Sequence, residues 1–106
     1  MIALLLFTKA EKHYPAEPAE ISHIIADDHY CDIFLVKEKV KFTEHQCLQY
    51  YINKLSKSGL FVAVGRSMLI NRKQIENFDR LFIYMKNGIQ IQMEEAEYHA
   101  LCKALS

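Results

Sequence analysis

Five basic residues, Arg66, Arg72, Lys73, Arg80 and Lys86, fall within twenty-one positions, and the only acids interleaved with them are Glu76 and Asp79. That window holds every arginine of the chain. A guanidinium is a planar fork of fixed donors, which suits paired phosphate oxygens or the O6/N7 edge of a guanine better than an ammonium does. Composition leaves two readings of the window open. One is contact with nucleic acid; the other is a solvated strand face laced with local salt bridges. The chain as a whole carries thirteen basic and thirteen acidic residues. Its charge therefore adds nothing to the first reading, since a nucleic-acid module usually shows a basic excess.

Other chemistries find less support. The three glycines are isolated, so there is no glycine-rich phosphate loop. Glu94 and Glu95 stand at a predicted helix start, where carboxylates complement the helix dipole. The five histidines (His13, His23, His29, His45, His99) show no i, i+4 pairing, and no Cys/His metal spacing links Cys31, Cys47 and Cys102. These cysteines read as buried or half-buried free thiols of a reducing compartment. No metal, cofactor or enzymatic activity is expected. The apolar run Met1–Phe7 is far short of the roughly 20 residues that span a bilayer. It also lacks the basic flank and cleavage site of a signal peptide. A cytoplasmic protein with no membrane partner is the expectation.

The elements that must position the basic window can be read from periodicity. At 106 residues, 51% hydrophobic and 25% charged, the chain is expected to form one domain spanning residues 1–106. Ile2–Thr8 reads as a buried first strand. Lys9–Glu20, with Pro15 and Pro18, reads as a loop. Glu20–Ala26 and Tyr30–Lys37 read as strands around the polar break Asp27-Asp28-His29, and Lys37-Glu38-Lys39 as a turn into Val40–Phe42. Cys47, Leu48, Tyr51, Ile52 and Leu55 share one helical face. Thr43 followed by Gln46 has capping-box spacing, so a helix is predicted over about 43–55, stopped at Gly59. Phe61–Asn71 is an alternating strand, a Gly65-Arg66-Ser67 break and a second apolar strand. Ile75–Phe78 is ambiguous. Asn87-Gly88 marks a two-residue hairpin loop between Arg80–Lys86 and Ile89–Met93, pairing Lys86 with Ile89, Tyr84 with Ile91 and Phe82 with Met93 on one apolar face. A closing helix is predicted over about 94–105. The fold class is mainly β.

Phe61, Arg66-Ser67, Asn71 and Ile75 resemble the signature of LytTR-type DNA-binding domains: a Phe, then Arg-x-His-Arg-Ser, a few apolar residues, Asn, and Ile four further on. The Ile25–Tyr30 strand entry, the mid-chain helix, the Asn87-Gly88 hairpin and the closing helix follow in the family's order, so the resemblance covers about Leu4 to Leu105. It implies small stacked antiparallel sheets with one short mid-chain helix and a C-terminal helix. It also implies the output domain of a bacterial response regulator, binding double-stranded promoter DNA through loops and strand edges, with a second copy of itself on paired direct repeats as a further expected partner. Arg66 matches the motif arginine and Ser67 its serine. His29 and Tyr30 match a second DNA-contacting segment, and Arg72, Lys73, Arg80 and Lys86 would position the backbone. The motif histidine is Gly65 here, the preceding arginine position is Ala63, and the segment after the hairpin reads Gln92-Met93-Glu94-Glu95 where the family is basic. The alternative reading keeps the fold as a protein-interaction or dimerisation module, pairing with itself or with another regulator through an exposed sheet edge.

Overall fold

The computed structural model describes residues 4–37 and 41–106, and the chain begins with a hairpin. β1 (Leu5–Lys9) pairs antiparallel with β2 (Lys12–Ala16), with Lys9 opposite Lys12 and Leu6 opposite Pro15. The loop expected over Lys9–Glu20 is therefore half strand. Two features conceal it. The turn residues Ala10 and Glu11 both take positive φ (52° and 66°) with no glycine or asparagine to announce the turn. Pro15 reads as a strand breaker, yet alternation from the Lys9/Lys12 pair gives it a non-hydrogen-bonded position, where the absent N–H would point away from β1.

The centre of the molecule is a five-stranded sheet built from β3 (Ile21–Asp27), β4 (Tyr30–Leu35), β5 (Lys41–Glu44), β6 (Phe61–Val64) and β7 (Met68–Asn71). Its order is β5-β4-β3-β7-β6, with antiparallel neighbours throughout. Period-two alternation gives the sheet two apolar faces, and each needs a cover. Ile24, Ile33, Phe42 and Leu69 on one face pack with Leu5 and Phe7 of β1 and with Leu48, Tyr51 and Leu55 of α1 (Leu48–Leu55). Val64, Met68 and Ile70 on the other face meet a three-stranded sheet and Leu101 of α2 (Glu95–Leu105). That smaller sheet comprises β8 (Ile75–Phe78), β9 (Phe82–Met85) and β10 (Gln90–Gln92), in the order β10-β9-β8. The result is a mainly β, three-layer domain.

Three local expectations are corrected. The mid-chain helix starts at Leu48, not near residue 43, because Thr43 lies in β5 opposite Asp32 and gives its hydroxyl to Asp32 Oδ1 at 2.7 Å. A cross-strand partner thus takes the group that the capping pattern had assigned to the helix. Cys47, expected to be at least half-buried, is the exposed N-cap of α1, whereas Cys31 is buried and Cys102 half-buried. The β9–β10 loop has three residues, Lys86-Asn87-Gly88. Met85 bonds Ile89 through its N–H (2.9 Å), and Gly88 takes φ 89°. Tyr84 therefore faces Gln90 and Ile83 faces Ile91. A slip of one residue exchanges the faces, so Ile83 and Met85, not Phe82 and Tyr84, join Ile91 and Met93 in the core. The turn expected at Lys37-Glu38-Lys39 and the strand start at Val40 lie partly outside the described residues. α2 starts as anticipated: Glu94 is its N-cap, in a reciprocal capping box with Glu97.

Candidate nucleic-acid interface

Strand direction determines which turns meet. β3 ends at Asp27, and a two-residue turn, Asp28-His29, leads into Tyr30 opposite Asp27. β6 runs in the same sense to Val64, and Gly65-Arg66-Ser67 connects it back to Met68. Because β3 and β7 are ladder neighbours, with Ile25 opposite Met68, the two turns emerge side by side. A backbone bond joins them: Ala26 N–H donates to the Ser67 carbonyl at 2.7 Å. The segment after β5 arrives at the same end, since Glu44 is the ladder partner of Cys31.

This end carries Arg66, exposed and without an ion pair among the described residues, and the half-buried Ser67. His29 is exposed, its Nε2 3.7 Å from Asp28 Oδ1. The half-exposed Tyr30 ring lies 4.9 Å from the ring of His45, an exposed residue of the β5–α1 connection. His45 escaped the sequence reading because only the β4–β5 register brings it here; its position after a strand end was the one available signal.

Gly65 makes the tight approach possible. Its φ is +65°, and a Cβ there would come within 3.2 Å of Glu97 Cγ at the start of α2. The acidic first turn of α2, with Glu94, Glu95 and Glu97, thereby borders the Arg66 turn. Between them and β10 lies a cleft of about 930 Å³, lined by Arg66, Ser67, His23, Phe34, Ile91 and Glu97 among others. His23 is buried there, stacked on Phe34 (centroids 4.3 Å apart) and hydrogen-bonded through Nδ1 to the Ser22 hydroxyl (2.9 Å). Burial lowers its pKa from the usual 6.5 to about 4, so the ring is neutral at physiological pH.

The remaining basic residues separate into two groups. Arg80 leans on Glu95 (3.5 Å) and stacks over Tyr98, 5.2 Å from the ring centroid, so its charge is already compensated. Asp79 does not serve that purpose. Its carboxylate accepts the N–H groups of Phe82 (2.8 Å) and Leu81 (2.9 Å) and the Tyr84 hydroxyl (3.1 Å), which hold its pKa below the usual carboxylate value. Arg72 and Lys73 occupy the short 3-10 turn that follows β7, and so lie at the far end of the sheet from Arg66. The buried Asn71 fixes that turn, donating to the Ile21 carbonyl (3.0 Å) and accepting the Lys73 N–H (3.0 Å). Lys86 joins this end, its N–H bonded to the Gln74 carbonyl at 2.8 Å. Arg66, Ser67, His29 and Tyr30 are thus brought together, while Arg72, Lys73 and Lys86 gather at the opposite pole.

Among the described residues no group of three or more His, Cys, Asp or Glu side chains is arranged to hold a metal ion, and no helix is long and apolar enough to cross a membrane.

The fold is a β scaffold whose turns converge at one end and carry Arg66, which has no ion pair among the described residues. The family model described as the LytTr DNA-binding domain matches residues 11–106, and the chain belongs to that family of DNA-binding domains. Among solved structures it is similar to the LytTr DNA-binding domain of a methyl-accepting/DNA response regulator from Bacillus cereus. The two share 17% sequence identity with a TM-score of 0.77, over 97% of this chain and 96% of that one. At that identity the likeness concerns the fold. No curated protein matches the chain.

Proposed function

We propose that this domain binds double-stranded promoter DNA as the output part of a bacterial transcriptional regulator in the cytoplasm. The observation that carries the reading is the backbone-tied pair of turns bearing Arg66, Ser67, His29 and Tyr30 at one end of the central sheet. Arg66 supplies the fork for a guanine edge or a phosphate. Ser67 and His29 add hydrogen bonds that fix register, and Tyr30 with His45 forms an aromatic flank. Arg72, Lys73 and Lys86, at the other pole, act through long-range attraction or on a duplex that runs the length of the domain. Arg80 orders the α2 start through Glu95. The acids Glu94, Glu95 and Glu97 limit how closely phosphates approach on that side, which reduces the number of counterions released on binding.

The test is fluorescence anisotropy of a labelled duplex titrated with the protein at low and at moderate salt. Binding is expected to weaken steeply with salt. Arg66→Ala is expected to cost about 1–3 kcal/mol on a cognate site if the fork is bidentate. An unchanged affinity for Arg66→Ala would refute the role of this turn. No binding at low salt would refute the DNA reading, leaving the protein-interaction alternative.

A further inference from the structure

We infer that β1 is a self-pairing edge, and that a second copy of this chain docks its own β1 antiparallel alongside, centred on Leu6. β1 lies outside the stretch that matches the family model, which begins at residue 11. Among the described residues it has one ladder partner, β2, and its other edge makes no backbone ladder with them. That edge borders a groove of about 360 Å³. The consecutive residues Leu4, Leu5, Leu6 and Phe7 line one side, and Glu44, Gln46, Tyr50, Tyr51 and Lys54 line the other. Side chains from both faces of β1 line the groove, so the strand's backbone edge itself forms the wall.

Sheet edges in monomeric proteins are blunted by charge, proline, brevity or a covering element. Elsewhere in the molecule this holds. Among the described residues, the outer edge of β2 carries Pro15, β5 carries Lys41 and Glu44, β6 is covered by α2, β8 carries Glu76, and β10 has only three residues. β1 ends in the exposed Lys9 but carries no charge or proline from Leu4 to Thr8, and it presents Leu4 and Leu6 to solvent at 61% and 62% exposure. The apolar character continues upstream in the sequence as Met1-Ile2-Ala3.

The choice of a second copy follows from register. Alternation from the Lys9/Lys12 pair points the N–H and C=O of Leu4, Leu6 and Thr8 toward the free edge. In an antiparallel pairing centred on Leu6, Leu6 meets its own counterpart and Leu4 meets Thr8. Each outward backbone group then finds an outward partner, and no charges are opposed. Such a contact is isologous and closes as a two-fold dimer. A formal net charge of zero removes long-range repulsion between copies. One strand and three apolar side chains per copy, Leu4, Leu6 and Tyr50, make a contact at the small end of specific interfaces. The dimer is therefore expected to be weak and reversible. It lies on the α1 face of the central sheet and does not depend on DNA.

Sedimentation velocity on the full chain, over a wide range of protein concentration, is expected to show a monomer–dimer equilibrium. Leu6→Lys opposes two ammonium groups at the two-fold axis while leaving an exposed position of the fold, and is expected to yield a monomer with an unchanged circular-dichroism spectrum. Mixing Leu6→Lys with Leu6→Glu is expected to restore the dimer as a mixed pair. Leu4→Lys is the second variant should Leu6→Lys perturb the fold. A wild-type monomer at every concentration overturns the proposal. So does a dimer that neither lysine variant weakens, or a charge-swapped mixture that stays monomeric.

Discussion

The buried imidazole of His23 makes stability depend on pH between about 4 and 6.5. In the fold the ring is 1% exposed, stacked on Phe34, and its pKa is lowered from 6.5 to about 4 by burial. The unfolded chain therefore binds a proton that the folded chain refuses. Between pH 6.5 and about 4 the unfolded state carries more protons, so stability rises with pH. The contribution is complete above the unfolded value and is lost as pH falls toward the folded one. A separation of about 2.5 units at about 1.36 kcal/mol each gives a loss of roughly 3 kcal/mol across the window. Asp79 has its pKa lowered, so its stabilisation is lost at lower pH, as acid passes through its folded value. The assay is urea unfolding at a series of pH values, run in parallel on His23→Gln, which keeps a polar group beside Ser22 but does not titrate. The wild-type stability minus that of the variant should be flat above neutrality and fall by roughly 3 kcal/mol toward pH 4. A flat difference, or an NMR titration of the His23 ring near its ordinary pKa, would refute the reasoning.

Two further substitutions test the scaffold beneath the turns. Gly65→Ala forces an L side chain to φ +65° and against Glu97, and should cost about 1–2 kcal/mol in thermal unfolding. Gly65→Asn, which tolerates that conformation better, should cost less, and equal stability of all three proteins would show that the turn relaxes. Asn71→Ala leaves the Ile21 carbonyl and the Lys73 N–H without their partner, and should cost about 2–4 kcal/mol by urea titration. A loss below about 1 kcal/mol would mean that water replaces both bonds.

Strand existence was legible in the sequence wherever apolar alternation ran uninterrupted, as in Tyr30–Leu35 and Phe61–Val64. What failed was local chemistry overridden by distant partners. Thr43 looks like a helix cap until Asp32 is known to face it across a ladder, and Asn87-Gly88 looks like a two-residue loop until Met85 is seen bonding Ile89. The hairpin of β1 and β2 was hidden because Ala10 and Glu11 occupy a conformation their side chains do not advertise. The candidate site was readable residue by residue but not as an assembly. The single strand β7 carries Arg66 and Arg72 to opposite ends of the sheet, and nothing in the residue spacing says that Arg66 and His29 share an end through the β3–β7 ladder.

The 2.7 Å bond from Ala26 to the Ser67 carbonyl has a consequence for how such a domain changes its target. It joins main chain to main chain, so neither side chain at the junction is needed to keep it. The tips beyond it, Asp28-His29 on one turn and Arg66 on the other, can be exchanged like bits in a fixed chuck, the spacing between them being held by main-chain atoms that every residue but proline supplies. Swapping a tip should then alter what is recognised without altering where the second tip sits. Part of the ordering entropy of engagement has also been spent in folding, before any partner arrives.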